Sequence, residues 1–271
     1  MTRIVNNCVA LVCLCLFWGQ SLRAADASHS EQIKWGNESV FNEEHNTLGL
    51  FSGVLGGQIV LAGGTSDDYS RWGRNAVCLS ENAGFALYED VLSKPLAYGA
   101  SITLSDGILC IGGRDSSQCY EDVFFVTMQQ GKLNVSEDWP PLPFPLSNAA
   151  GALLDNKVYL FGGRKSVSPS RLSDSFFVLD LSNKSRGWKE LPGYPGCVRE
   201  DAILVVQNNG VSPCLYLLGG QTETEEGLSS CLTDGYVYNP QLGKWSSLGS
   251  DFPKGICAAV ASGANHIPVS Y

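Results

Sequence analysis

The sequence predicts an all-β chain: a β-propeller of four full four-stranded blades and a partial fifth. Three observations carry this expectation. A diglycine ends a short apolar run four times, in IVLAGG (59–64), ILCIGG (108–113), VYLFGG (158–163) and LYLLGG (215–220). The first glycines stand at 63, 112, 162 and 219, so they recur after 49, 50 and 57 residues, and a near-constant period of this length marks a repeat architecture. The composition, 44% hydrophobic and 17% charged with 30 Gly, 12 Pro and 2 Met in 271 residues, holds a sizeable core and fits neither a disordered chain nor a helix bundle or coiled coil.

Each element of a unit follows from local pattern. Before every diglycine strand stands another strand and a turn, in SGVLGGQ, YGASITLSDG, NAAGALLDNK and REDAILVVQNNG. Gly and Asn at the turns mark β-hairpins. The second strand is apolar at successive positions, as a strand covered on both faces must be. Paired glycines allow two backbones to approach where a Cβ would clash. A polar loop follows, then a third strand in CYEDVFFV, SDSFFVLDL and TDGYVYNP, and a closing strand is expected at Trp139, Trp188 and Trp245. Each Trp is read as filler between blades. Four strands in about 50 residues is the kelch type of blade. The expected blades are 48–91, 97–141, 147–192 and 199–253, and a fifth begins at Gly255 without reaching a diglycine before Tyr271.

Residues 1–24 read as a signal peptide: Arg3, an uncharged run CVALVCLCLFW (8–18) and a small-residue cleavage site at Ala24-Ala25. Eleven apolar residues are short for a bilayer span, though an uncleaved anchor is the other reading. A secreted or periplasmic chain is therefore expected, with no membrane association after cleavage. Segment 25–47 contains Ile33-Lys34-Trp35, a strand expected to close the last blade, and 48–271 forms the blades. A net charge of −9, 18 Lys+Arg against 27 Asp+Glu, is unfavourable for neutralising phosphates and argues against a nucleic-acid binder. Seven cysteines follow the leader, an odd number, so at least one is not in an internal disulfide. No C-x-x-C occurs and His29, His45 and His266 are scattered, so no metal site is expected.

The order and wording of the blades resemble the kelch-repeat N-acetylneuraminate epimerases, and more closely their cyclically permuted mutarotase relatives. The carrying residues are GLFSG (49–53) with IVLAGG, AYGASITLSDGILCIGGRD (97–115) before DVFFV, NAAGALLDNKVYLFGG (148–163), and REDA (199–202). The resemblance implies a six-bladed propeller acting as an isomerase of carbohydrate metabolism. It would interconvert the α and β anomers of sialic acid without a metal or organic cofactor. Ring opening needs a base at the anomeric hydroxyl and an acid at the ring oxygen. The family's catalytic Glu directly follows one glycine motif, whereas Thr65, Arg114, Arg164 and Gln221 follow the diglycines here. By blade order that Glu falls beyond Tyr271, and Leu96 precedes Ala97-Tyr98-Gly99 where the family has Arg. No catalytic residue is therefore assigned, and an impaired enzyme is expected. The alternative is a secreted, non-catalytic kelch module binding a protein or glycan.

Four residues are candidates for binding a sugar acid. Arg114 and Arg164 stand where chains leave their second strands; they are an anion clamp for a carboxylate or solvated loop arginines. Arg199 lines the same pocket or pairs with Glu200 or Asp201. Trp72 offers a stacking surface for a sugar. The run Glu223 to Glu226 reads as a solvated loop tip.

Overall fold

In the computed structural model the chain divides into two units, Met1–His45 and Asn46–Tyr271. The structure describes residues 48–80, 84–224 and 227–258, all in the second unit. The expected signal peptide, the segment 25–47 with Trp35, and the fifth unit after Ala258 lie outside the described residues. No helix among the described residues is long and apolar enough to cross a membrane.

Four antiparallel four-stranded sheets succeed one another, one for each expected blade. Blade one holds β1 (Leu48–Leu55), β2 (Gln58–Thr65), β3 (Ala76–Ser80) and β4 (Gly84–Tyr88). Blade two holds β5 (Ala100–Thr103), β6 (Ile108–Ile111), β7 (Val123–Gln129) and β8 (Lys132–Ser136). In blade three, β9 (Ala150–Leu154) and β10 (Lys157–Phe161) are followed by a small hairpin of β11 (Arg164–Ser166) and β12 (Arg171–Leu172). Strands β13 (Phe176–Asp180) and β14 (Lys189–Glu190) complete that blade. Blade four repeats the plan with β15 (Ile203–Asn208), β16 (Pro213–Leu218), a hairpin of β17 (Gln221–Glu223) and β18 (Ser229–Cys231), then β19 (Gly235–Asn239) and β20 (Lys244–Ser247). The two small hairpins occupy stretches the sequence suggested were loops.

The turns obey their chemistry. Gly56-Gly57, Gln130-Gly131 and Asp155-Asn156 each put two successive residues at positive φ, the tight turn whose twist matches that of the paired strands. The second strands alternate between neighbours. Ile108 and Cys110 of β6 pack with Phe51, Val60 and Ala62 of blade one, whereas Leu109 and Ile111 pack with Val158, Leu160 and Phe177 of blade three. In β10, Tyr159 and Phe161 turn the other way, onto Leu215, Leu217 and Tyr238 of blade four. Among the described residues the core is therefore three inter-blade layers rather than one centre, each buried side chain contributing about 2 kcal/mol.

The tryptophans fill these layers, but only Trp245 lies within a fourth strand; Trp139 follows β8 and Trp188 precedes β14. Packing explains the displacement. Trp139 reaches the Phe125 ring at 5.2 Å, and the Trp188 indole N–H donates to the Pro140 carbonyl at 3.0 Å, so both are drawn off the outer strand into the gap. Four of the cysteines, Cys78, Cys110, Cys119 and Cys214, are buried singly, Cys197 is exposed, and Cys231 and Cys257 form a disulfide.

The diglycines join blade to blade. The second glycine's N–H donates to a carbonyl of the next blade: Gly64 to Leu96, Gly113 to Leu146, Gly163 to Arg199 and Gly220 to Ile256, at 2.9, 2.8, 2.8 and 2.7 Å. A Cβ on the first glycine of each pair (Gly63, Gly112, Gly162 or Gly219) would collide with that same carbonyl oxygen.

Candidate functional site

The residues two places before β5, β9 and β15 adopt an unusual backbone that Gly49 in β1 and Ala258 share. Gly49, Tyr98, Asn148, Asp201 and Ala258 have φ of 64°, 60°, 55°, 52° and 50°. Their peptides form an arc in which each N–H donates to the carbonyl one blade back: Tyr98 to Gly49 and Asn148 to Tyr98 at 2.7 Å, Asp201 to Asn148 and Ala258 to Asp201 at 3.0 Å. Four non-glycine residues in the left-handed region represent strain that the surrounding structure must enforce. These five residues, with Leu50, Gly99, Ala149 and Ala202, line a pocket of about 190 Å³.

The residue after each diglycine is held beside this arc. Arg114 exchanges main-chain hydrogen bonds with Ala97, Arg164 with Ser147 and Gln221 with Glu200, at 2.7–3.0 Å. Blade-to-blade joining thus delivers these side chains next to Tyr98, Asn148 and Asp201.

Arg114 and Trp72 come together. The Arg114 guanidinium lies over the Tyr98 ring at 4.7 Å and the Trp72 ring at 5.1 Å. Tyr69 stacks on Tyr98 at 6.5 Å, its hydroxyl 3.3 Å from that of Tyr98. The Trp72 indole N–H donates to the Tyr69 carbonyl at 3.1 Å. Burial, followed by the Tyr69 hydroxyl, pushes the Tyr98 phenol upward, so it stays protonated. The aromatic faces hold the guanidinium without neutralising it. Its Nε is buried without a hydrogen-bond partner, and Nη1 reaches only the Asp115 carbonyl at 3.4 Å.

Arg164 is engaged elsewhere. Its Nε and Nη2 grip Glu200 at 2.8 and 2.5 Å, and Nη2 also donates to Glu223 at 3.0 Å. Glu223 is thus an ion-pair partner rather than part of a solvated tip; 225 and 226 lie outside the described residues. The Glu200 hydrogen bond holds Arg164 firmly protonated.

Arg199 is neither a pocket residue nor a partner of Glu200 or Asp201. It is fully buried, with Nη1 and Nη2 on the two carboxylate oxygens of Asp234 at 2.7 and 2.8 Å. Its Nε donates to the Tyr194 hydroxyl at 2.7 Å and Nη1 also to the Gly219 carbonyl at 2.7 Å. Its guanidinium is spent tying Tyr194, in the link between blades three and four, to Gly219 and Asp234 of blade four.

Asp201 is the pocket's carboxylate, which the sequence reading passed over along with Tyr98 and Asn148. Asn148 Nδ2 donates to its Oδ1 and Gln221 Nε2 to its Oδ2, both at 2.9 Å. Burial pushes its pKa from 3.8 up to about 6, aided by the Glu200 charge and opposed by Asn148, Arg164 and Gln221. Asn148 Oδ1 is buried without a partner. Laying the four blades in register on their diglycines was the available signal for these residues. They occupy one repeat position, hidden because their side chains share no chemistry.

The family model for N-acetylneuraminate epimerase matches residues 139–269. The chain is 30% identical over 129 residues to the N-acetylneuraminate epimerase of Yersinia pestis (strain Pestoides F), across 47% of this chain and 30% of that protein. It is 31% identical over 131 residues to the N-acetylneuraminate epimerase of Haemophilus influenzae (strain PittEE), across 48% and 32%. A kelch domain-containing protein of Vibrio cholerae serotype O1 is 31% identical over 121 residues, 44% of this chain and 31% of that one. The match thus spans about a third of each curated relative's length. A solved structure titled "Structure of YjhT" superposes with a TM-score of 0.62 at 14% identity, covering 79% of this chain and 73% of the other; that likeness concerns the fold. The chain is a kelch-repeat β-propeller related to the N-acetylneuraminate epimerases.

Proposed function

We propose that the chain binds a sugar acid of the sialic acid class at the arc pocket, as a relative of the mutarotases that interconvert its anomers. The observation that carries this reading is Arg114. Among the described residues it has no carboxylate partner within ion-pairing distance; it is backed by two aromatic rings, and it borders the pocket through Tyr98. A cation held by π-faces keeps its charge and its in-plane donors for an anion. Tyr98 and Trp72 position the guanidinium, and Asn148 Oδ1 is an acceptor for a ligand N–H or hydroxyl. Arg164 acts indirectly, by holding Glu200 beside Asp201.

Calorimetric titration with N-acetylneuraminate tests this. Arg114→Ala is expected to weaken binding by about 10–100-fold, the worth of one charge-assisted contact. N-acetylmannosamine, which lacks the carboxylate, should bind weakly to both forms. Equal affinity of the wild type and the variant for N-acetylneuraminate would overturn the reading.

A second reading, binding without turnover, is favoured by the residues after the diglycines: Thr65, Arg114, Arg164 and Gln221 include no carboxylate. An extracytoplasmic location is part of the proposal, supported by the apolar run 8–18 and the Cys231–Cys257 disulfide, which an oxidising compartment preserves.

A further inference from the structure

We infer that Asp201 is the proton-transferring residue of the arc pocket, acting as general base on the anomeric hydroxyl of a bound sugar acid. The inference rests on the sugar-acid reading above and adds to it a group on which turnover would depend.

Four observations converge on Asp201. Asp201 lines the pocket together with Gly49, Tyr98, Asn148 and Ala258. Its backbone is held at φ 52°, the conformation shared by the five arc residues, and is clamped by arc hydrogen bonds from its own N–H and to its carbonyl, which fixes the position of its Cα beside the pocket. Both oxygens are oriented by neutral amides, Asn148 and Gln221, and among the described residues no cation within ion-pairing distance fixes it as a permanent anion. The charged and titratable groups facing it are Glu200 beside it, Arg164 from β11 and Tyr98 from the neighbouring blade. Arg164 spends its charge on Glu200 and Glu223, and Tyr98 stays neutral. Asp201 is therefore left to change protonation near neutral pH, where a general base works best. Beside it, the unpartnered Asn148 Oδ1 marks a polar site that a ligand donor completes.

The step balances within the sugar and solvent. The Asp201 carboxylate takes the proton of the anomeric hydroxyl, and that oxygen's electron pair becomes the second bond of a carbonyl. The bond from the anomeric carbon to the ring oxygen breaks, and the ring oxygen takes a proton from a water molecule. The open-chain keto acid turns about the carbon–carbon bond beside its carbonyl. The reverse steps then close the ring on the other carbonyl face and return both protons.

The test measures anomer interconversion of N-acetylneuraminate by proton NMR exchange, corrected for buffer, from pH 5 to 8. Binding is followed by calorimetry on the same samples. For the wild type, the protein-dependent kcat/KM is expected to rise with pH through about 6. Asp201→Asn is expected to fold, to bind with a Kd within about 3-fold of wild type, and to lose about 100-fold or more of the protein-dependent rate. If the variant keeps its rate, or if the wild-type rate does not titrate, the inference is overturned. Wild type that binds without accelerating interconversion overturns it too, leaving the binding reading intact. No binding at all removes the sugar-acid reading itself, and the inference with it.

Discussion

Asp201 carries a thermodynamic cost that can be measured without any ligand. Its carboxyl sits at about 6 in the folded chain against an ordinary 3.8, so the folded state holds its proton more tightly than the unfolded state does. The associated stability is fully present below pH 3.8 and is lost as pH rises through 6; a shift of this size corresponds to on the order of 2–3 kcal/mol. Asparagine carries no charge to desolvate, and its oxygen still accepts one of the two amide N–H bonds. Asp201→Asn is therefore expected to stabilise the protein by about 2 kcal/mol at pH 7.5 and by close to nothing at pH 3.5. Urea melts at the two pH values check this, and an equal difference at both would contradict it. Single residues were the least legible part of the sequence. Arg114 and Trp72 were readable because one follows a diglycine and the other is a large aromatic in a polar loop, and the structure stacks them together. Arg199 was misread because its partner, Asp234, lies 35 residues away across a diglycine, and nothing local reveals that a charged side chain will be wholly buried.

Among elements, the diglycine turn gives the sharpest contrast. Gly112 has φ +62°, and its missing Cβ faces the Leu146 carbonyl oxygen of the next blade. Gly131 has φ +74° and open space around it. Alanine at either position meets the left-handed penalty of about 1–2 kcal/mol, but only at 112 must backbone from a second blade also move. Gly112→Ala is expected to lower stability by about 3–4 kcal/mol, the sum of backbone strain and overpacking, and Gly131→Ala by about 1 kcal/mol. Equal losses in denaturant melts would show that the inter-blade approach carries no energy of its own. The recurrence of GG after apolar runs was legible for this reason, since a steric demand repeated in every blade leaves the same residue in every blade. The fourth strands were less legible. They are the outer, largely exposed strands, so burial imposes little pattern on them, and Trp139 and Trp188 marked the gap between blades rather than the strand beside it.

At the scale of the whole molecule, the cohesion of the described blades is a chain of neighbours. Every buried cluster spans two adjacent blades, so blades two and three each have partners on both flanks within these layers, whereas blades one and four each contribute to one layer. The second strands record the difference. All of β6 is buried, and so is β10 after its first residue, while β16 keeps Tyr216 and Leu218 half-buried on the side away from blade three. Blade one carries Val54, Phe85 and Leu87 exposed. Among the described residues, opening blade one or four breaks one such interface and opening blade two or three breaks two, so local unfolding is expected to begin in blades one and four. Amides of β6 and β10 are accordingly expected to exchange at least about 10-fold more slowly than those of β2 and β16, a gap of about 1.4 kcal/mol in opening free energy. Hydrogen exchange read strand by strand decides it. Uniform protection across the four second strands would mean that the blades open as one unit, and that the arc of hydrogen bonds from Gly49 to Ala258 couples them more strongly than their apolar layers do. A graded pattern would place the arc pocket on a scaffold whose most stable part holds Tyr98 and Asn148, with Asp201 at the edge where opening begins.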